Sequence, residues 1–204
     1  MTPDSEPRVV DAVALTAYRA VYVEVPKVAC SSIKIALAGL LGIDLEAAGD
    51  NPHAAAFPEP PGPAGGSSAY PGLFSFAFVR NPWDRLVSCY RDKIQGEASD
   101  FTAFAPERGV AYCVARFESL QAGMSFERFV DAIAEIPDTE ADAHFRSQHT
   151  FVTNRSGDIA IDFVGRFESL ARDFDAVCDL HPRWSPNGDM VSIPPIPVAG
   201  KSIF

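Results

Sequence analysis

Alternating apolar and polar positions near the start of the chain predict a β-strand that leads into a helix. Val21, Val23 and Val25 occupy every second position, as the buried face of a strand requires. The alternation stops at Pro26, and apolar residues at helical spacing follow over residues 33–41. We therefore expect a strand, a short loop of small residues and a helix, in this order.

A second strand and helix are predicted further along the chain. Residues 74–79 form an almost entirely apolar run, which is typical of a buried strand. Asn81 suits the N-cap of a following helix, and Pro82 suits its first turn. The apolar face of this helix would consist of residues at helical spacing, namely Leu86, Val87 and Tyr90.

The second half of the chain continues the same alternation. An amphipathic helix capped by Ser125 is predicted over residues 125–136, a strand over 159–167 and a helix over 170–180. Strands that alternate with helices favour an α/β architecture, in which a parallel sheet is flanked by helices.

Length and composition indicate one domain. At 204 residues and 47% hydrophobic residues, the chain can bury a single core, so we expect one domain over residues 1–204. Residues 50–71 are rich in Pro, Gly, Ala and Ser and predict a surface loop longer than most connections. Neither a membrane-spanning run nor a signal-peptide profile is present, so we expect a soluble protein.

The charge pattern indicates the kind of ligand. A net charge of −10 argues against nucleic-acid binding, which usually needs a basic face. The charge is uneven, since residues 1–94 carry −2 and residues 95–204 carry −8. Basic residues collect in two short regions of the first part, namely Lys27, Lys34, Arg80, Arg85, Arg91 and Lys93. This pattern suits a small polyanionic ligand.

The four cysteines are widely spaced and form no Cys-x-x-Cys pair. Reduced thiols are therefore expected rather than a disulfide framework or a zinc site. The sequence also lacks a carboxylate cluster that would indicate a metal, and we expect none.

The loop between the first strand and helix has the composition of an anion site. The free N–H groups of a first helical turn and the positive end of the helix dipole point at one spot. Lys27 adds a full charge at the front of this loop. A surface lysine on an ordinary turn is the alternative interpretation of Lys27.

A second basic motif follows the second strand. Arg80 lies at the carboxyl end of this strand, where open α/β sheets bind ligands. Ser88 lies two helical turns after Asn81, so an arginine fork and a hydroxyl would form a second phosphate clamp. Two further pairs are expected to be structural ion pairs, Arg85 with Asp84 and Arg91 with Asp92.

Together these motifs resemble those of the sulfotransferases that use 3′-phosphoadenosine 5′-phosphosulfate (PAPS), in particular the carbohydrate sulfotransferase branch. Residues 26–32 are similar to that family's Pro-Lys-x-x-x-Ser/Thr-Ser/Thr loop, and residues 79–91 to its Val-Arg-Asn-Pro segment. Residues 124–129, 142–148 and 162–168 are similar to three further family stretches, in the same order. The resemblance implies a three-layer, P-loop-like sulfotransferase fold with a central parallel sheet.

The resemblance also implies roles for individual residues. Lys27 would contact the bridging oxygen of the leaving phosphate, and Arg80 and Ser88 would bind the 3′-phosphate. The Ser31 and Ser32 hydroxyls would assist the backbone amides around the 5′-phosphate, which belong to Val28, Ala29, Cys30, Ser31 and Ser32. A sulfuryl group would then pass by in-line displacement from PAPS to a hydroxyl of a carbohydrate or another small molecule, without a metal.

The general base is not determined by the motifs. An acceptor hydroxyl loses a proton as it attacks sulfur, and a histidine or glutamate normally takes it. We prefer His53, which corresponds in region to a histidine of related enzymes, over His144, which lies in the Asp-x-His-Phe-x-x-Gln stretch. Glu24 is the remaining candidate, and a structural imidazole is the alternative for either histidine.

The C-terminal segment departs from the family pattern, since the terminal helix of relatives has no counterpart here. A homodimer or another partner that completes this end is therefore one expectation. The absence of an anchor and of paired cysteines favours a compact cytoplasmic enzyme. Two other functions stay open, a PAPS-binding module without transfer activity and a P-loop kinase for a small molecule.

Overall fold

The computed structural model describes residues 11–60, 70, 72–95, 116–154 and 156–180, and these ranges contain four strands and five α-helices. The strands are β1 (Ala12–Leu15), β2 (Ala20–Val23), β3 (Phe74–Val79) and β4 (Phe163–Arg166). The helices are α1 (Cys30–Leu41), α2 (Pro82–Lys93), α3 (Phe126–Ala134), α4 (His149–Val152) and α5 (Leu170–Leu180). Residues 61–69 and 71 of the predicted 50–71 loop, and the C-terminal segment, lie outside the described residues.

The strands form one sheet in the order β1-β2-β3-β4. The pairs β2–β3 and β3–β4 are parallel, as the sequence predicts, and the connection between β2 and β3 contains α1. The edge strand β1 runs antiparallel to β2, with Ala12 opposite Val23. The fold is thus α/β, with a mostly parallel four-stranded sheet flanked by helices.

The register of the parallel strands brings two loops to one edge of the sheet. Val23 at the end of β2 lies beside Ala77 of β3, and Val79 at the end of β3 lies beside Arg166 of β4. The segments that follow β2 and β3 therefore leave the sheet on the same side. These are the two segments in which the sequence predicts anion-binding residues.

Aromatic residues form much of the core under the sheet. Phe76 and Phe78 of β3 are buried and pack against Phe174 of α5, with the Phe78 and Phe174 rings stacked at 5.9 Å. Gly165 of β4 makes room for this packing, because a Cβ atom there would lie 2.5 Å from the Phe78 ring. A second apolar cluster lies between α2 and α3 and includes Cys89 and Phe129.

Most predicted elements are confirmed, with shifted ends. Asn81 caps α2 as expected, since its side chain accepts hydrogen bonds from the N–H groups of Trp83 and Asp84. The strand predicted over residues 159–167 is shorter in the structure, where Ile159 forms only an isolated bridge with Thr153 and β4 begins later. Among the described residues, no helix has both the length and the apolar character that a membrane span requires.

Candidate functional site

The loop between β2 and α1 has the backbone geometry of an anion-binding nest. Lys27 and Ala29 both adopt left-handed backbone conformations, with φ of 69° and 54°. Ala29 is the N-cap of α1 and provides no side-chain cap, and the helical hydrogen bonds begin with the N–H of Ile33 donating to the Ala29 carbonyl. The N–H groups at the start of the helix therefore have no intrahelical acceptor, and such turns bind anions.

The nest is not a relaxed turn. A non-glycine residue in the left-handed region costs about 1–2 kcal/mol, and this loop contains two of them. The surrounding structure must therefore hold the loop in place. Burial contributes, because Val25 and Val28 on either side of Lys27 are 1% and 0% exposed.

Arg85 is the main side chain that holds this loop. Its Nε donates to the Pro26 carbonyl at 2.8 Å, and its two terminal nitrogens donate to the carbonyls of Arg146 and Ala143, each at 2.8 Å. Burial lowers the pKa of the Arg85 guanidinium to about 10. The predicted ion pair with Asp84 is therefore wrong, because backbone carbonyls have taken the donors of Arg85.

Replacement of Arg85 by leucine is expected to destabilise the protein by roughly 3 kcal/mol, because three carbonyl oxygens lose their donor. Urea unfolding would measure this change. Arg172→Leu is the matched control, since the Arg172 side chain is 78% exposed and should change stability little. Equal effects of the two substitutions would show that Arg85 does not anchor the loop.

Arg80 follows β3 and lies beside the same loop. Its Nη1 is 3.4 Å from the Lys27 carbonyl oxygen, and the guanidinium lies over the Phe167 ring, 4.2 Å from the ring centre. Burial lowers the pKa of Arg80, although Asp84 and Glu168 act in the opposite direction. The Nε atom is buried and has no hydrogen-bond acceptor among the described residues. The guanidinium thus keeps donor capacity for an anion.

The backbone at Arg80 is fixed by residues whose role the sequence analysis did not identify. Gln148 accepts from the Arg80 N–H at 2.8 Å and donates to its carbonyl at 2.7 Å, while Glu168 accepts from the Asn81 N–H at 2.6 Å. Both residues lie in stretches that resemble those of the sulfotransferases, and this resemblance is the feature of the sequence that could have identified them. Phe167, next to Glu168, supplies the aromatic surface under the guanidinium.

Ser88 and Asp92 lie one turn apart on α2. Ser88 is half-buried, and its hydroxyl makes no hydrogen bond with another described residue. Asp92 contacts Lys27 at 2.9 Å and Lys93 at 3.1 Å. The predicted pair of Arg91 with Asp92 is therefore wrong, because lysines occupy the Asp92 carboxylate.

His53 lies against the nest. Its Nε2 is 2.8 Å from the Ser31 Oγ and 3.9 Å from the Cys30 Sγ. On the other side of the ring, Nδ1 is 3.7 Å from the buried carboxylate of Glu24. The structure therefore brings His53 and the start of α1 together, as a base for a ligand in the nest would require.

The surroundings of this histidine do not favour a metal. Glu24, Cys30 and His53 offer ligand atoms that lie within 4.8 Å of one another. However, the Lys34 ammonium is 2.5 Å from Glu24, and a second cation there opposes binding of a divalent ion. Burial and the nearby Glu24 raise the pKa of the Cys30 thiol to about 11, so this sulfur is neutral at physiological pH.

His144 has a different environment. Its Nδ1 lies 2.6 Å from Asp142, whose other oxygen is 3.3 Å from Arg116. Burial opposes ionisation of Asp142, but His144 and Arg116 outweigh it and lower the pKa of this carboxyl. Asp142 and Gln148 belong to the same Asp-x-His-Phe-x-x-Gln stretch as His144, and of these two Asp142 contacts the His144 ring, whereas Gln148 contacts Arg80.

Fold and site together define a class of protein. A nest at the first turn of a helix, with a lysine and an arginine at the carboxyl edge of a parallel sheet, is typical of α/β proteins that bind phosphate or sulfate groups. A model of the sulfotransferase family matches residues 11–188. The chain therefore belongs to the sulfotransferase family, and this membership supports sulfuryl transfer as its general class of activity. Searches of curated proteins and of solved structures returned no match.

Proposed function

We propose that this protein is a PAPS-dependent O-sulfotransferase whose acceptor is a hydroxyl of a carbohydrate or another small molecule. The observation that carries the proposal is the meeting of two cationic segments, since the Arg80 Nη1 is 3.4 Å from the Lys27 carbonyl. A ligand with anionic groups at two ends could bridge these segments. PAPS has a 3′-phosphate and a 5′-phosphosulfate on one adenosine.

In this proposal the nest holds the 5′-phosphosulfate. The backbone amides of residues 28–32 would surround the phosphate, with the hydroxyls of Ser31 and Ser32 beside them. Ser31 is within hydrogen-bonding distance of His53, which would bring the base close to the sulfuryl group. Lys27 would neutralise the bridging oxygen as it leaves.

Arg80 and Ser88 would hold the 3′-phosphate. A guanidinium that keeps unused donors binds phosphate through charge-assisted hydrogen bonds. Gln148 and Glu168 support this role because they fix the backbone from which the guanidinium extends. Transfer then depends on positioning and on charge neutralisation at the departing oxygen, which needs no covalent intermediate.

Calorimetry with 3′-phosphoadenosine 5′-phosphate (PAP) and with ATP tests the identity of the nucleotide. PAP should bind at least about 100-fold more tightly, because ATP lacks the 3′-phosphate and a charge-assisted clamp contributes roughly 3 kcal/mol. Equal affinity would contradict the proposal and favour a kinase. Turnover of PAPS with a panel of sugar acceptors separates an enzyme from a binding module.

Arg80→Ala is expected to weaken PAP binding by roughly 2–3 kcal/mol, which is about 30- to 150-fold. It should also remove the preference for PAP over adenosine 5′-phosphate, because the 3′-phosphate loses its clamp. Calorimetry with both nucleotides measures the two effects. Arg91→Ala is the control, since Arg91 is an exposed arginine of the same helix region. A retained preference in Arg80→Ala would place the clamp elsewhere.

A further inference from the structure

The Lys27 ammonium already has a partner of opposite charge. Its Nζ donates to Oδ2 of Asp92 at 2.9 Å, across 65 positions of sequence. The Lys27 side chain is 17% exposed and the Asp92 side chain is 49% exposed, so the pair lies at the entrance of the site rather than deep inside it. The cation that we assign to the leaving oxygen is therefore occupied by a carboxylate of α2.

The position of Asp92 matters for an anionic ligand. Asp92 follows Ser88 by four residues in α2, so both side chains lie on the same face of this helix. Ser88 is the hydroxyl that we assign to the 3′-phosphate. A carboxylate in the same row repels an incoming phosphate, because like charges a few ångströms apart destabilise each other in a partly buried site.

Asp92 can lose Lys27 without becoming an unpaired charge. Its Oδ2 is also 3.1 Å from Nζ of the neighbouring Lys93. Burial opposes ionisation of Asp92, but the two lysines outweigh it and hold the pKa of this carboxyl below its usual value. Asp92 is therefore a full carboxylate at neutral pH, and Lys93 continues to compensate it when Lys27 turns to another anion.

We propose that Asp92 is a resident counter-ion of Lys27, which an incoming phosphate or phosphosulfate ligand must displace. The nature of the ligand rests on the function proposed above, whereas the ion pair itself does not. Displacement consumes part of the binding free energy, so Asp92 lowers the affinity of the site for its donor. It also keeps the flexible lysine side chain at the site between turnovers.

Asp92→Asn tests this role, with PAP as the probe in calorimetry. Asparagine keeps the size of the side chain but removes the charge, so PAP affinity should rise about tenfold. Asp131→Asn is the matched control, because Asp131 is an exposed carboxylate of α3. The Asp131→Asn protein should bind PAP with the affinity of the unmodified protein. Unchanged or weaker binding in Asp92→Asn would overturn the proposal.

The Lys27→Ala background separates displacement from simple repulsion. If Asp92 acts by occupying Lys27, then Asp92→Asn should improve PAP binding less than about threefold when Lys27 is absent. A gain in PAP affinity that is equal or larger in the Lys27→Ala background would show that Asp92 acts only by electrostatic repulsion of the ligand. This result would also overturn the proposal. Thermal melts of all variants confirm that each is folded.

A second probe distinguishes failure of this inference from failure of the proposed function. Inorganic pyrophosphate needs the nest and Lys27 but no adenosine site. It is therefore titrated against the unmodified protein, Asp92→Asn, Lys27→Ala and the variant with both substitutions. Coupling between positions 27 and 92 with pyrophosphate, in a protein that does not bind PAP, would support the counter-ion and reject the PAPS-dependent function. Tight PAP binding without any coupling between positions 27 and 92 would overturn the counter-ion proposal and support the PAPS-dependent function. Failure of both anions to bind would overturn the counter-ion proposal.

Discussion

Lys27→Ala is expected to lower the turnover of PAPS by about 100- to 1,000-fold, the scale of losing one donor that acts in the transition state. Charge develops on the bridging oxygen only as the bond to sulfur breaks, so the ammonium contributes mainly at that point. The affinity for PAP should change by less than about tenfold. Nest amides and Arg80 remain, and Lys27 must give up Asp92 before it binds the ligand.

Steady-state rates with the best acceptor of the panel, together with calorimetry on PAP, measure these two effects separately. Lys27→Arg is the matched variant, since it keeps the charge but places it in a planar, larger group. It should retain nucleotide affinity and recover only part of the rate. Unchanged turnover in Lys27→Ala would remove Lys27 from the reaction, and a large loss of affinity would make it a ground-state binding residue.

Local signals explain why α2 could be predicted from the sequence in detail. Asn81 at the N-cap, Pro82 in the first turn and an apolar face at helical spacing all act within one or two turns of the chain. The structure confirms the cap, and β3 before it has the predicted bounds. The two anion-binding segments meet because parallel strands end at one edge, which follows from the order of elements alone.

The edge strand β1 was not predicted, because its signal is weak. Ala12–Leu15 has four residues and two of them are alanines, which are depleted in strands. Its place in the sheet depends on backbone pairing with β2 rather than on its own pattern. Short edge strands of this kind are defined by tertiary context.

The partners of the charged residues could not be predicted either, because they are distant in sequence. Neighbouring charges suggested Arg85 with Asp84 and Arg91 with Asp92. In the structure Arg85 instead donates to carbonyls about sixty positions away, and Asp92 pairs with Lys27 of another loop in addition to its neighbour Lys93. A buried arginine needs acceptors for several N–H donors at once. The three carbonyls that surround the Arg85 guanidinium come together only when the chain has folded.

His53→Ala is expected to lower turnover by about 100-fold, the lower end of the range for loss of a general base, with PAP affinity and thermal stability almost unchanged. The reason is the position of its ring, with Nε2 2.8 Å from Ser31 at the start of α1. Asn51 accepts from the His53 backbone N–H at 3.0 Å, and this contact of the loop is retained when the imidazole is removed. Rates with PAPS and the best acceptor measure the effect.

His144→Ala is expected to act on stability instead, and this contrast decides between the two histidines. The His144 ring contacts Asp142, which is 4% exposed, so its removal leaves a buried carboxylate whose remaining ion pair among the described residues is with Arg116. The melting temperature should therefore fall, while turnover at a temperature where the protein is folded should remain within about threefold. His149→Ala, at an exposed histidine, should change neither property. Loss of transfer in His144→Ala with full activity in His53→Ala would exchange the two roles, because a base must reach the hydroxyl that attacks sulfur, whatever its partner in the free protein.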